Sequence, residues 1–195
     1  MGMTNMLVKD CEGQIGGLAL FWKNEINLKL IGFMSRYHID AEITEPDGFV
    51  WRFTRIYGES KVDEKENTWR LLRTLKHQNN KPWLCMGDFN EVLRPEEHEG
   101  VGQRINVQIQ AFRETTDVCM LMDIGNQIHF WTFEKRLPGG RYTRVWLDRS
   151  LAIAEWNKMF PNAHVEHLTA ATSDHCPIFL EFQGRGYQNT KMSLS

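Results

Sequence analysis

The chain is 195 residues long, with 42% hydrophobic and 25% charged residues and a formal net charge of −2. This length and composition allow one buried core, so we expect a single globular domain. The charge balance excludes a protein that binds nucleic acid through overall basicity, so any attraction to phosphate has to be local.

The cysteines and the apolar runs exclude further classes of protein. The four cysteines lie far apart and include no CxxC pair, which argues against a zinc site; they are Cys11, Cys85, Cys119 and Cys176. Their spacing favours reduced thiols in an intracellular protein, and a nuclear location is compatible with this. No apolar run approaches the ~20 residues of a membrane span, no signal-peptide pattern opens the chain, and no obligate protein partner is indicated.

The first part of the chain predicts strands. Residues 1 to 15 form a lead without a clear pattern, and residues 18 to 22 form an apolar strand. Residues 38 to 44 alternate apolar and polar side chains, which predicts a strand with one face in water. A turn at Pro46-Asp47-Gly48 leads into an aromatic-rich partner strand over residues 49 to 57, so the two strands form a hairpin.

Two amphipathic helices are predicted further on. Apolar residues recur at helical spacing in residues 62 to 78 and again in residues 106 to 119. Between them, residues 96 to 99 read Glu-Glu-His-Glu. Consecutive residues of a polar loop rarely converge on one ion, so we expect a solvated loop there and no metal site. Helices that alternate with strands and hairpins indicate a layered α/β sandwich.

The stretch from residue 83 to residue 93 couples a buried strand to a polar turn. Residues 83 to 86 are apolar throughout, as in a strand covered on both faces, and Gly87 is expected to end it. Asp88 and Asn90 then project into a cleft, where a carboxylate suits a hard cation or an attacking water and an amide can donate to a phosphate. Taken alone, the same residues are equally typical of a surface turn.

A basic, aromatic stretch over residues 128 to 149 is the candidate nucleic-acid contact. Pro138-Gly139-Gly140 forms a tip between two strand-like arms. The side chains predicted to meet nucleic acid are Lys135, Arg136, Arg141, Arg144 and the aromatic Trp131. Basic groups engage backbone phosphates without reading sequence, and an exposed ring can stack on a base. A basic hairpin with buried aromatics explains the pattern equally well, so both interpretations stay open.

Several polar residues, taken in order along the chain, carry a family resemblance. They are Tyr57 before Gly58, Asp88 with Asn90, Asp148, and Asp174 with His175. This set resembles the endonuclease/exonuclease/phosphatase superfamily, and residues 16 to 22 and 87 to 92 look closest to the endonuclease domains of plant LINE-type retroelements. The resemblance implies an α/β fold of the DNase-I-like kind, a four-layer sandwich of two mixed β-sheets packed between helices. The domain would span residues 16 to 183, with a C-terminal tail over residues 184 to 195.

The resemblance also implies metal-assisted hydrolysis of a phosphodiester, with DNA as the partner. His175, oriented by Asp148, would touch the scissile phosphate and help to neutralise its charge. Asp88 would position and activate the attacking water, and Asn90 would hold the phosphate or that water. Tyr57 would assist the phosphate or the departing oxygen.

The metal site implied by the resemblance is incomplete in this sequence. Asp174 would lie near a Mg²⁺ ion, with Mn²⁺ as an alternative. In the family, however, two strands precede the strand that begins with Gly16-Gly17, and the second carries the glutamate that is the principal metal ligand. The upstream glutamates Glu12, Glu25 and Glu42 do not match that motif. We therefore expect an N-terminally truncated domain that lacks the first strands, binds metal weakly and has weak or no activity.

Two other functions stay open at this point. The domain could be a remnant without catalytic activity that binds nucleic acid through residues 128 to 149. The same scaffold also serves phosphatases that act on small phosphate esters. The family hairpin usually carries a Phe-Thr-Trp pattern followed by Asn. The best match here is Trp131-Thr132-Phe133, and the Asn is absent, which puts one phosphate or metal-water contact in doubt.

Overall fold

The computed structural model describes residues 4–9, 18–32, 34–102, 104–125, 131–167, 175–183 and 190–194. Its strands are β1 (Asn5–Lys9), β2 (Leu18–Trp22), β3 (Asn27–Leu30), β4 (His38–Thr44), β5 (Val50–Tyr57), β6 (Trp83–Asp88), β7 (His98–Gly100), β8 (Met122–Asp123), β9 (Phe133–Arg136), β10 (Tyr142–Val145), β11 (Asp148–Ala152), β12 (His164–His167), β13 (Ile178–Phe182) and β14 (Thr190–Leu194). Its helices are α1 (Lys65–Gln78), α2 (Asn106–Cys119) and α3 (Ala154–Met159). The predictions for Cys11, Gly16-Gly17 and Asp174 fall outside the described residues.

The strands form two large sheets and one small sheet. The first sheet has the order β3-β4-β5-β6-β11-β8, the second sheet β1-β2-β14-β13-β12, and the small sheet β7-β10-β9. Strands β5 and β6 pair in parallel, and the other described strand pairs are antiparallel. A parallel pair needs a crossover connection, and α1 provides it.

An aromatic cluster joins the two large sheets. Trp51 of β5 and Phe182 of β13 meet edge to face, with ring centroids 5.5 Å apart. Trp156 of α3 lies 5.7 Å from Trp51, and Phe160 lies 5.2 Å from Phe182. Truncating a buried ring of this kind typically costs ~3–5 kcal/mol, so the cluster is a principal contact between the sheets. The face-to-face arrangement is the predicted α/β sandwich.

Both predicted helices form. α2 has the predicted bounds, whereas α1 begins three residues later than predicted, after a 3₁₀ turn at Val62–Glu64. Trp69 of α1 stacks on Phe112 of α2 with ring centroids 4.7 Å apart, and Phe112 stacks in turn on Phe89 at 5.4 Å. Phe89 follows β6 directly, so the two helices anchor the polar turn that begins there.

The predicted water-facing side of residues 38 to 44 is wrong at His38 and Asp40, which are 9% and 4% exposed. Asp40 accepts hydrogen bonds from Arg52 Nε at 2.9 Å and from Thr54 Oγ1 at 2.8 Å. Arg52 also donates to the carbonyl of Leu75 in α1. Because α1 covers this face of the first sheet, its polar groups are buried as a hydrogen-bonded ion pair instead of being hydrated.

The predicted solvated loop at residues 96 to 99 is wrong at Glu97, which is 9% exposed. One carboxylate oxygen of Glu97 accepts the backbone N–H of Leu93 at 2.7 Å and pairs with Arg149. Arg149 also pairs with Asp123 of β8 at 2.6 Å. Glu97 therefore closes the loop around a buried arginine, which alternation and composition do not reveal.

Two strands lie in the segments predicted as lead and tail. β1 falls within residues 1 to 15 and pairs with β2, while β14 falls within residues 184 to 195 and pairs with both β2 and β13. Met192 of β14 is fully buried. β14 therefore takes a central position in the second sheet. No described helix is long and apolar enough to cross a bilayer.

Candidate active site

Strand register brings three of the predicted site residues into one row. Tyr57 of β5 pairs with Asp88 of β6, and Asp88 pairs with Asp148 of β11. Residues paired across neighbouring strands direct their side chains to the same face of the sheet. The row therefore lies at one end of the first sheet, on the face that carries Trp51 and the aromatic cluster.

The turn after β6 holds Asp88 and Asn90 as one hydrogen-bonded unit. Asp88 accepts the backbone N–H of Asn90 at 2.7 Å and its side-chain amide at 3.0 Å. The amide of Asn90 also donates to the carbonyl of Gly58 at 2.8 Å. The prediction that Gly87 ends the strand is wrong, because β6 continues through Gly87 to Asp88. Gly87 has φ 148°, and an added Cβ would lie 2.0 Å from the carbonyl oxygen of Ile56, so only glycine fits at this bend.

A buried ion pair between α1 and the end of this turn holds the turn in place. Lys65 of α1 is 4% exposed and lies 3.0 Å from a carboxylate oxygen of Glu91, which is fully buried. The same ammonium donates to the carbonyl of Asn90, whose φ of 54° is left-handed. Burial lowers the pKa of Lys65, and the charge of Glu91 opposes that shift. Sequence reasoning missed both residues. Lys65 falls on an amphipathic helix, where charged residues are expected to face water, and Glu91 follows the polar turn without a pattern that indicates burial.

His175 joins the row from the segment just before β13. Its Nδ1 lies 3.1 Å from Oδ2 of Asp148 and 3.9 Å from Oδ2 of Asp88. The His175 ring packs 5.0 Å from the Phe133 ring, and the two residues form an isolated antiparallel bridge. The His175 side chain is 36% exposed and so reaches solvent. The predicted neighbourhood of Asp148 and His175 is confirmed.

Thr132 holds the two segments of that contact together. Its hydroxyl accepts the backbone N–H groups of Leu147 and Asp148, both at 2.9 Å. Its carbonyl accepts the backbone N–H of Cys176 at 2.8 Å. Thr132 is fully buried, so one residue fixes the start of β11 and the segment that carries His175. The sequence pattern Trp131-Thr132-Phe133 marked this position without indicating the role.

Arg55 is a site residue that sequence reasoning missed. It lies on the same face of β5 as Tyr57 and is 6% exposed. Burial lowers the pKa of Arg55, and the charges of Asp148 and Asp88 oppose that shift. The available signal was the series Trp51, Phe53, Arg55, Tyr57, in which a basic residue interrupts the apolar side of a strand.

Burial shapes the electrostatics of the row. The pKa of Asp88 is raised from 3.8 to about 7, first by burial and then by the charge of Asp148, while His175, the backbone N–H of Asn90 and Arg55 oppose the shift. Burial also raises the pKa of Tyr57, and the charge of Asp88 adds to that shift. Asp88 is therefore a carboxyl group that can exchange a proton near neutral pH.

The donor atoms of Asp88, Asp148 and His175 could hold a metal ion. One ligand atom from each residue lies within 4.8 Å of the others. Two carboxylates and an imidazole suit a divalent cation such as Mg²⁺ or Mn²⁺, with hard oxygen donors dominating the set. The donors present therefore fit such an ion, and Asp174, predicted to lie beside it, is outside the described residues.

The predicted nucleic-acid hairpin forms from β9 and β10, with its tip at Pro138–Gly140. Lys135, Arg136 and Arg141 are exposed. Arg144 is partly neutralised, because it pairs with Glu134 at 3.0 Å and stacks over the Tyr142 ring at 5.0 Å.

The two tryptophans near the hairpin are neither fully buried nor fully exposed, so they match neither interpretation of the sequence completely. Trp131 and Trp146 are half-buried. Trp146 donates its indole N–H to the backbone carbonyl of Asp148 at 3.0 Å, so the base of the hairpin contacts the start of β11.

Comparison with solved structures identifies the fold. The chain is similar to the endonuclease domain of TRAS1, a telomere-specific non-LTR retrotransposon, with a TM-score of 0.65 at 13% identity, covering 98% of this chain and 78% of that domain. It is also similar to the catalytic domain of human Nocturnin with a bound sulfate anion, with a TM-score of 0.50 at 13% identity. That match covers 92% of this chain and 64% of the Nocturnin chain. No protein-family model matches the sequence. No curated protein sequence matches it either. The two likenesses confirm the predicted DNase-I-like fold.

Asp88→Asn is expected to stabilise the protein more at pH 8 than at pH 5. An acid whose pKa rises on folding, here from 3.8 to about 7, keeps its proton longer in the folded state, so wild-type stability falls as the pH rises through that window. The variant has no charge to bury, so its advantage in unfolding free energy should grow by roughly 2–3 kcal/mol between the two pH values. Urea unfolding measures this, with the exposed Asp117→Asn as control. An advantage that is equal at both pH values would contradict the raised pKa of Asp88.

Proposed function

We propose that this DNase-I-like domain is a metal-dependent phosphodiester hydrolase of the DNA endonuclease kind, with low activity. The observation that carries the proposal is the contact of 3.1 Å between His175 Nδ1 and Asp148 Oδ2, beside the carboxylate of Asp88. An imidazole oriented by one buried acid can donate to a phosphate oxygen, while a second acid beside it can accept the proton of the attacking water.

His175 is proposed to touch the scissile phosphate. Asp148 engages Nδ1 of the ring, so Nε2 is the nitrogen that would donate to a phosphate oxygen. The buried carboxylate of Asp148 fixes the ring orientation and stabilises the protonated imidazole as charge builds on the phosphate.

Asp88 is proposed to position and deprotonate the attacking water. Its pKa of about 7 suits this task, because a general base works best when its pKa lies near the working pH. Asn90 contributes through Asp88, since its amide already donates to Asp88 and to the carbonyl of Gly58. Tyr57 stands next to Asp88 in the row and is proposed to assist the phosphate or the departing oxygen.

Asp148 would hold the divalent cation, with Asp174 as a further proposed ligand and Asp88 beside the ion as the base. The ion, Mg²⁺ or Mn²⁺, would neutralise charge on the phosphate and orient it. Among the described residues, the metal-capable group contains two carboxylates, both at most 5% exposed. Two buried carboxylates, one of which holds a proton up to about pH 7, bind a cation weakly at neutral pH, which supports low activity.

DNA is the proposed substrate. Lys135, Arg136 and Arg141 extend from the hairpin into solvent and could engage backbone phosphates. Arg144 and Trp131 are half-buried; Arg144 could reach a further phosphate, and the ring of Trp131 could stack on a base. Phe133 of β9 packs against the His175 ring, with ring centroids 5.0 Å apart, so a duplex on the hairpin would be near His175.

His175→Ala is expected to abolish plasmid nicking. The wild-type protein should nick supercoiled plasmid slowly with Mg²⁺ and not with EDTA, and loss of the imidazole should reduce the rate by ~10²–10⁴-fold. His164→Ala is the matched control, because His164 is an exposed histidine of β12.

Three outcomes of the nicking assay would contradict the proposal. Nicking that survives His175→Ala would remove the imidazole from the reaction. Hydrolysis confined to a soluble phosphomonoester would indicate a phosphatase. Binding of DNA without any hydrolysis, at every Mg²⁺ and Mn²⁺ concentration, would indicate a remnant that only binds.

Replacing both Lys135 and Arg141 by Ala is expected to weaken DNA binding uniformly across sequences. Each phosphate that the variant no longer neutralises should reduce the slope of log affinity against log salt by about 0.9 for a duplex. Fluorescence anisotropy over a salt series measures this slope. The control is the double replacement of Lys29 and Arg70 by Ala, which removes the same charge from exposed positions elsewhere. Equal slopes for the two double variants would contradict the hairpin as the DNA contact.

A further inference from the structure

Arg55 is buried between apolar residues of the two neighbouring strands. Its neighbours in register are Ile39 of β4 and Met86 of β6, and both are fully buried. An added Cβ at Gly87 would lie 2.0 Å from Nη1 of Arg55, so the guanidinium fills the space beside β6 that the missing side chain of Gly87 leaves open. The residue after Gly87 is Asp88, which places the guanidinium at the foot of the carboxylate row.

Arg55 differs from the two other deeply buried arginines of the first sheet in the partners that it has. Arg52 pairs with Asp40, and Arg149 pairs with Glu97 and Asp123. Nη1 of Arg55 donates to the carbonyl of Ile56, and within the described part of the chain its Nε has no hydrogen-bond partner. No described carboxylate forms an ion pair with Arg55, and a buried guanidinium in that situation is costly, so the described charges that compensate it are more distant ones.

The charges that compensate Arg55 belong to the candidate active site. Arg55 shares a face of β5 with Tyr57, which pairs with Asp88, and its guanidinium lies against Gly87 next to Asp88. Burial lowers the pKa of Arg55, and the charges of Asp148 and Asp88 oppose that shift. The guanidinium is permanently protonated under ordinary conditions. The cluster of two carboxylates therefore already contains one fixed positive charge before any ion binds.

We propose that Arg55 is a built-in cation of the Asp88 and Asp148 cluster, which partly replaces the charge of a divalent ion and weakens the binding of that ion. Arg55 acts through the two carboxylates and is a positioning residue, since it is 6% exposed and does not reach a substrate. The inference rests on the proposed function only for the identity of the metal ligands. Removing Arg55 removes a like charge from the neighbourhood of the ion, so the affinity for a divalent cation should rise.

Mn²⁺ binding to the nucleic-acid-free protein tests this directly. Titration at pH 8.5, followed by electron paramagnetic resonance of free Mn²⁺, gives the affinity without any hydrolysis. Arg55→Met should bind Mn²⁺ at least about tenfold more tightly than the wild type, while Arg55→Lys, which keeps the charge, should stay within about twofold. The control for net charge is Arg70→Met, on the exposed side of α1, which should also stay within about twofold. A folded Arg55→Met that binds Mn²⁺ no more tightly than the wild type would overturn the inference.

A second measurement needs no substitution in the core. In the wild-type chain, La³⁺ at saturation should shift the Nε–H resonance of Arg55 more than that of Arg52, which has its own carboxylate in Asp40. Equal shifts for the two arginines would overturn the inference even if Arg55→Met failed to fold. Both measurements exclude DNA, so an absence of nicking activity would bear on the proposed hydrolysis and not on Arg55.

Discussion

The contact between Asp148 and His175 is the constraint on which the candidate site depends. Asp148 begins β11 in the first sheet, whereas His175 precedes β13 in the second sheet, and their side chains meet at 3.1 Å. Thr132 brings the two side chains close enough for a hydrogen bond, because its hydroxyl holds the backbone of Asp148 and its carbonyl holds Cys176. The aromatic cluster keeps the two sheets face to face, so the distance between Asp148 and His175 depends on the packing of the core.

Burial gives this row of side chains its chemistry. Asp88 and Asp148 stand on paired strands and are both at most 5% exposed, so the charge of Asp148 disfavours ionisation of Asp88. Three groups oppose that repulsion by stabilising the charged form of Asp88: His175, the backbone N–H of Asn90 and the guanidinium of Arg55. The result is a carboxyl group at Asp88 that titrates near neutrality and a cluster whose net charge is small. Such a cluster can move protons, and it attracts a cation less strongly than two unopposed carboxylates would.

Much of this arrangement could be predicted from local sequence. The periodicity of residues 106 to 119 predicted the bounds of α2, and the apolar run before Asp88 predicted β6. The failures share a physical cause, which is that alternation separates the faces of a strand without saying what covers them. Asp40 and Glu97 were expected in water but are buried against arginines that come from distant parts of the chain. Arg55 was overlooked for the same reason, since only tertiary structure brings Asp148 near it.

The tautomer of His175 tests the central contact most directly. Long-range ¹H–¹⁵N correlation spectra of the metal-free protein at pH 8 distinguish a neutral imidazole protonated at Nδ1 from one protonated at Nε2. Donation from Nδ1 to Asp148 predicts the Nδ1–H form in the wild type, and a shift toward the Nε2–H form in Asp148→Asn. An Nε2–H tautomer in the wild type, or a tautomer that Asp148→Asn leaves unchanged, would contradict the pairing on which the proposed hydrolysis rests.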